Sequence, residues 1–256
     1  MQLNFLIGSP LEQFQILNLL PFYINLPFGV DLSLTNSALV EILAVIIFVL
    51  LLKLTIDGGF LVPTHWQSVI EMYYETIFGL IKDNIGQKGN SFFPFIFTLF
   101  SFILILNLLG MIPYVISVTA HISVAIGLSL SIWLGVTFLG FNIHGIQYLS
   151  MFMPQGAPMA LAPLLVIIEL VSYSARAISL GLRLAANISA GHMLLGIIGG
   201  FGWTMLCAGG IAAVGSIIPI GLIFILTFLE LAVAGIQAYV FSLLTVIYIN
   251  DAVNLH

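Results

Sequence analysis

Apolar residues run along this chain in blocks longer than a soluble core helix needs, and the polar positions within them fall at helical spacing. Residues 37–53 form the first block. Lys53 closes it, with an aliphatic stem that can lie along apolar surface while its ammonium stays in water. Residues 64–86 follow a different pattern. Trp66, Val69, Ile70, Tyr73, Ile77, Leu80 and Ile81 recur every three or four positions, with Gln67, Glu71, Glu75 and Lys82 opposite. That spacing predicts an amphipathic helix lying on a membrane surface rather than crossing it. Residues 92–139 predict a hairpin of two spanning helices, the first stopped by Pro113, and a polar loop from Asn142 to Pro158 follows. From 161 to 250 the chain is almost continuously apolar. Gly199, Gly200 and Gly202 predict a turn inside that stretch, and Pro219 a kink or a helix start.

The expected fold is therefore an all-α polytopic membrane protein forming one membrane domain. It has about five membrane helices, including a long, strongly tilted C-terminal hairpin, plus one amphipathic surface helix. Composition narrows this further. Hydrophobic residues make up 61% of the chain and charged ones 6%, which excludes a soluble domain, and no basic patch exists to bind nucleic acid. The single cysteine, Cys207, excludes a disulfide framework and a cysteine-based zinc site; it reads as a small core residue. The first ten residues carry no basic group before an apolar core, unlike a signal or transit peptide, so a chain resident in an organelle is expected to be made there. All three lysines, Lys53, Lys82 and Lys88, lie between the first and second spans. The positive-inside rule puts that segment on the inner side and the N-terminus outside.

The chain has two arginines, Arg176 and Arg183, and both lie in the apolar C-terminal stretch. A guanidinium stays protonated, and holding it at bilayer depth costs at least ~2.5–3.5 kcal/mol. Read as one helix, 161–198 would be about 57 Å long against about 30 Å of hydrocarbon, so it must tilt steeply. Glu169, Ser172, Arg176, Ser179, Arg183 and Asn187 then share one face. Gly181, Ala185, Ala186, Ser189, Ala190 and Gly191 let another helix come close. The competing reading makes the arginines flank a short loop between ordinary spans. It would place both on the outer side, against the rule that the lysines obey. On the helical reading Glu169 lies about 21 Å to one side of Arg183 and His192 about 13 Å to the other. Glu230 and Gln237, one heptad apart, add a second pair of polar groups in apolar surroundings. Titratable groups buried in a membrane commonly mark a proton relay.

Other polar positions carry less. His65 starts the surface helix, His121 sits near the outer end of the third span, His144 lies in the inner loop and His256 is terminal. Glu41 falls near the outer interface of the first span, and Trp66, Trp133 and Trp203 suit interfacial belts. The chain has no Gly-x4-Gly-Lys-Ser/Thr, no Gly-x-Ser-x-Gly and no His-Glu-x-x-His, so nucleotide binding and the commonest hydrolytic centres have no motif here. An ion/proton secondary transporter is the main alternative reading. It calls for internal repeats, and none is detectable.

The stretch Ser179-Leu-Gly-Leu-Arg-Leu-Ala-Ala-Asn-Ile-Ser-Ala-Gly-His192 resembles the signature of subunit a of the F-type ATP synthase. Four further stretches support the resemblance: Ser9-Pro-Leu-Glu-Gln-Phe14, Pro94-Phe-Ile-Phe-Thr-Leu-Phe100, Asn107-Leu-Leu-Gly-Met-Ile-Pro-Tyr114 and Tyr248-Ile-Asn-Asp-Ala-Val-Asn-Leu-His256. The last two look like mitochondrial forms, and by likeness to fungal relatives residues 1–8 are candidates for removal. The resemblance implies a stator subunit beside a rotating c-ring, with subunit b, small accessory membrane subunits and lipid as further partners, protons as substrate and no cofactor or metal. It implies the mitochondrial inner membrane, the N-terminus in the intermembrane space and the C-terminus on the matrix side. By the same resemblance Arg183 faces the c-ring carboxylate and separates two proton half-channels. His192, Glu230 and Gln237 line the outer half-channel, and Glu169, with Asp251, serves the inner one. Asn187 matches a polar position near the arginine, and Arg176 a second arginine of the family.

Overall fold

The computed structural model describes residues 14–20, 33–56, 65–112, 115–152 and 162–254. Five of its helical stretches are long and apolar enough to cross a membrane. Pro113, the loop after Phe152, residues 1–8 and His256 lie outside the described residues.

Helix α1 (Asn36–Ile56) is apolar nearly all round, and among its described side chains only Val40 and Ala44 are buried, against the next spanning helix. Helix α2 (His65–Ile85) keeps the amphipathic spacing but divides along its length. Ile77, Leu80, Ile81 and Ile85 pack into the bundle, whereas Trp66, Val69 and Met72 remain exposed. A 3₁₀ run, Gly86–Phe92, leads into α3 (Phe93–Gly110), with Pro94 in the first turn, where its missing N–H breaks no helical bond. Tyr73 ties α2 to α3 through a 2.6 Å hydrogen bond with Ser101.

Helix α4 (Ile122–His144) runs five residues beyond the expected end at 139, because the first residue unfit for the helix is Gly145, at φ +58°. The 3₁₀ run Gly145–Phe152 then folds Tyr148 back under α4, where Gly140 has no Cβ to collide with the ring. The His144 Nε2 lies 3.2 Å from the Val253 carbonyl oxygen, joining this corner to the far end of the chain.

The C-terminal hairpin departs from expectation at its turn. Helix α5 (Ala162–Ala208) continues straight through Gly199, Gly200 and Gly202. These glycines keep helical backbone, and Gly202 packs beside Pro219 of the returning helix. The break comes at Gly209 and Gly210, at φ +70° and +59°, and leads through the short α6 (Gly210–Gly215) into α7 (Ile217–Val253). Pro219 is the third residue of α7, a helix start rather than a kink. At about 1.5 Å per residue α5 spans about 70 Å, so it cannot stand upright in about 30 Å of hydrocarbon.

Leu180 and Leu184 of α5, Phe241 and Val246 of α7, and Ile96 and Ile103 of α3 form the packed centre. Lipid is as apolar as these side chains, so close packing rather than exclusion of water holds the helices together. Gly181 shows how: a Cβ there would lie 2.8 Å from the Ala125 carbonyl oxygen of α4. A small antiparallel ribbon of Asn18–Leu20 with Leu34–Thr35, absent from the expected all-helical pattern, closes one end. Asn36 stitches it down. Its backbone N–H donates to Leu17 O at 3.0 Å, and its side chain bonds both the Leu17 N–H and the Gln15 carbonyl at 3.1 Å.

Candidate functional site

The face of α5 that packs inward carries Tyr173, Ala177, Leu180, Leu184 and Ile188. The opposite face follows from the same helical period. Arg176, Ser179, Arg183, Ala186, Asn187 and Ala190 all lie on exposed surface. The predicted polar stripe is thus a real face, turned from the packed side of α5, with Asn187 at its edge reaching α7. Arg183 makes no hydrogen bond or ion pair with the described residues. Arg176 does: its Nη2 sits 3.2 Å from Glu169 Oε1, one heptad earlier, with both side chains about two-fifths exposed.

The small residues of the stripe do not serve one neighbour, as their clustering led one to expect. Gly181 meets α4, Ser189 donates to the Ala120 carbonyl oxygen at 2.9 Å, and Gly191 faces α7. Ala186 and Ala190 stay on the open face beside Arg183.

Behind Arg183 a polar line crosses from α5 to α7. Asn187 Nδ2 donates to Gln237 Oε1 at 3.2 Å, and Gln237 is 4% exposed. One turn before Gln237, the Ala234 carbonyl oxygen accepts a 3.2 Å hydrogen bond from Asn107 Nδ2 of α3, a side chain with no exposed surface. One turn earlier again is Glu230, at 5% exposure. His192 Nε2 stands 3.7 Å from Glu230 Oε1, close enough to feel its charge but too far for a hydrogen bond. Both Glu230 oxygens, His192 Nε2, Gln237 Nε2 and Asn107 Oδ1 are buried with no hydrogen-bond partner among the described residues. Buried polar atoms in that condition are commonly met by water where there is room for it.

There is room on both sides of Glu230. A cavity of about 820 Å³ extends from His192 and Glu230 to Gln15 and Asn36, beside the ribbon. A second, of about 330 Å³, runs between α5 and α7 from Glu230 past Gly191 to Asn187. Glu230 is the titratable group common to both. Phe14 covers His192 edge-on, ring centroids 6.3 Å apart, at the margin of the larger space.

Asp251 is not part of this cluster. It lies near the far end of α7, in electrostatic reach of Tyr148 and Tyr248. Tyr248, 3% exposed, is in electrostatic reach of Arg176 and Arg183 as well as of Asp251. The structure therefore makes two groups of the expected residues. His192, Glu230, Gln237 and Asn187 come together on one side of Arg183, and Glu169 with Arg176 lies on the other.

A family model described as ATP synthase A chain matches residues 37–250. The chain belongs to the ATP synthase A chain family. An ATP synthase subunit a from Chondrus crispus is 48% identical over 256 residues, covering all of both chains. One from Metridium senile is 53% identical over 228 residues, 89% of this chain and 95% of that one. The likeness reaches as far as the subunit a of Paramagnetospirillum magneticum, 42% identical over 98% of this chain and all of the other. Membership in the ATP synthase A chain family makes this a membrane-sector subunit of an ATP synthase.

Set against the family, the site holds residues that the sequence reading passed over. Asn107 lies inside a stretch quoted for its likeness, yet its uncharged side chain gave no sign of facing Glu230's helix. Gly191 was grouped with the other small residues, although its lack of a Cβ is what admits the Glu230 carboxyl: an added Cβ would sit 2.7 Å from Oε1. Gln15 and Asn36 border the larger cavity from the start of the chain, and only tertiary folding brings them there.

Proposed function

We propose that this chain forms two offset proton half-channels beside a c-ring, with Arg183 as the fixed charge that keeps them apart. The observation that carries this reading is the pairing of an exposed Arg183, which has no ion pair among the described residues, with a buried polar line that begins one helical turn away. On this reading the open face of α5 lies against the rotor. Ala186 and Ala190 let the neighbouring helix approach, and the guanidinium attracts each deprotonated rotor carboxylate as it arrives. Arginine does not release its proton at any working pH, so it blocks direct transfer between the two paths.

The outer half-channel is the cavity of about 820 Å³, in which His192 and Glu230 exchange protons with water, followed by the smaller space that leads to Asn187. Gln237 and Asn187 hold the far end of the line in place. The inner half-channel is served by Glu169, with Arg176 holding its carboxylate, and by Asp251 near Tyr248. Each proton falling through 100 mV releases about 2.3 kcal/mol, and the offset between entry and exit turns that fall into rotation in one direction. Nucleotide chemistry belongs to other chains of the complex. The eukaryotic relatives are in keeping with a place in the mitochondrial inner membrane. On this reading the N-terminus lies in the intermembrane space, the C-terminus in the matrix and α2 on the matrix surface, as the positions of the lysines suggest. Subunit b and small accessory membrane subunits complete the set of neighbours.

An antiporter would need interrupted helices at its binding site, whereas α5 and α7 run unbroken past Arg183 and Glu230. The deciding experiment is Arg183→Lys. A lysine keeps the charge but can release its proton, so the variant complex should assemble with its c-ring and lose proton-driven ATP synthesis. Normal ATP synthesis in that complex would refute the fixed-charge role.

A further inference from the structure

Helix α4 presents Gly127, Ser131 and Gly135 in steps of four along one face, and the space beside both glycines is open. Two hollows of about 310 and 320 Å³ lie along this face and meet at Ser131, which lines both. Together they make a groove over α3 that follows α4 from Val124 to Leu139, about 22 Å at about 1.5 Å per residue. That is most of the roughly 30 Å thickness of a hydrocarbon core.

Two polar groups mark the end of the groove nearest the start of α4. Thr119 lines it, 3% exposed, and its Oγ1 has no hydrogen-bond partner among the described residues. Glu41 reaches it from α1 and makes no ion pair or hydrogen bond with the described residues. Neither group belongs to the path through His192 and Glu230, because the packed apolar cluster of Val40, Leu106, Ile116 and Val118 stands between. A carboxylate and a buried hydroxyl at membrane depth need a partner, which an acyl chain does not supply. Small residues at every fourth position are the surface against which another helix packs most closely.

We propose that this groove seats one membrane-spanning helix of a neighbouring subunit, fixed by a lysine or arginine whose side chain pairs with Glu41. The small residues of α4 take the backbone of that helix, Thr119 takes a hydrogen bond from it, and Glu41 sets its depth and direction. Negative Glu41 at one end of an otherwise uncharged groove selects a partner with a single cation toward the same end.

A diazirine amino acid placed at Ser131 in the intact complex tests this. Irradiation is expected to join the chain to one single-span polypeptide of the complex bearing a lysine or arginine in its outer third. Glu41→Gln should lower that adduct at least fivefold, and Glu41→Lys should abolish it. Exchanging the partner's cation for glutamate in the Glu41→Lys complex should restore it. ATP-driven proton pumping in Glu41→Gln reports that the chain is folded and its rotor engaged. It also separates this proposal from the Arg183 reading, which Arg183→Lys tests without touching the groove. Adducts only with lipid, adducts only within this chain, or a yield indifferent to both Glu41 variants would each overturn the proposal.

Discussion

Gly191 illustrates what decides function at the scale of one residue. Its neighbour His192 stands out in any reading of the sequence, but the glycine is what lets Glu230 come within 3.7 Å of that imidazole. In Gly191→Ala the new methyl group displaces the carboxylate, an overpacking cost of roughly 1–3 kcal/mol. A barrier raised by about 1.4 kcal/mol slows a step tenfold, so proton-driven ATP synthesis should fall by about that factor. Adding Glu230→Asp, which shortens the side chain by one methylene, should recover part of the loss. Rates unchanged by Gly191→Ala in reconstituted vesicles would show that the approach is unimportant. The charged members of the site were legible from sequence because charge is rare in this chain and each instance demands a reason. Asn107 and Thr119 were not. Their polarity matters only through what they face, and facing is a property of packed helices, not of spacing along one.

At the scale of the element, the C-terminal hairpin separates two uses of glycine. A cluster of three glycines looked like the turn, but a helix tolerates glycine at a cost of about 1 kcal/mol each, and α5 bears it. The turn needs backbone that other residues avoid, and Gly209, at φ +70° and ψ −177°, supplies it. Gly209→Ala should therefore destabilise the hairpin by roughly 1–3 kcal/mol. Gly200→Ala, where an added Cβ meets nothing within 4 Å, should stabilise it by up to about 1 kcal/mol. Unfolding of the purified chain in mixed micelles by increasing dodecyl sulfate measures both, and the reverse order of midpoints would contradict this account of the turn. The long helices themselves were legible, since an apolar stretch with arginines on one face leaves few alternatives. Where α5 ends was not, because composition marks flexibility but not the sign of a dihedral angle.

For the whole molecule, the division of polar residues about Arg183 predicts that damage on the two sides has different effects. Glu169→Gln leaves the cavity at Glu230 intact and removes the carboxylate that holds Arg176. On the proposed arrangement it should slow ATP-driven proton uptake from the matrix side several-fold and leave assembly unchanged. Equal pumping rates in variant and parent vesicles would remove Glu169 from the path. The first three spans could be read from hydropathy, because each block is bounded, whereas the division of 161–250 into two long helices rested on the arginines and the family resemblance. The ribbon at Asn18–Leu20 could not, since its short strands are set by the tertiary bonds of Asn36 rather than by any alternating pattern.

That ribbon bears on how the chain is made. The cavity of about 820 Å³ takes its wall from opposite ends of the sequence, Gln15 and Leu17 on one side, Thr227 and Glu230 on the other. A chain synthesised from its N-terminus holds only part of this wall until its final helix has entered the membrane. On the proposed arrangement the outer half-channel is therefore among the last features to form, and a prematurely terminated product would lack the Glu230 carboxyl that borders it. On that arrangement, completion of the polypeptide itself would guard against an early leak.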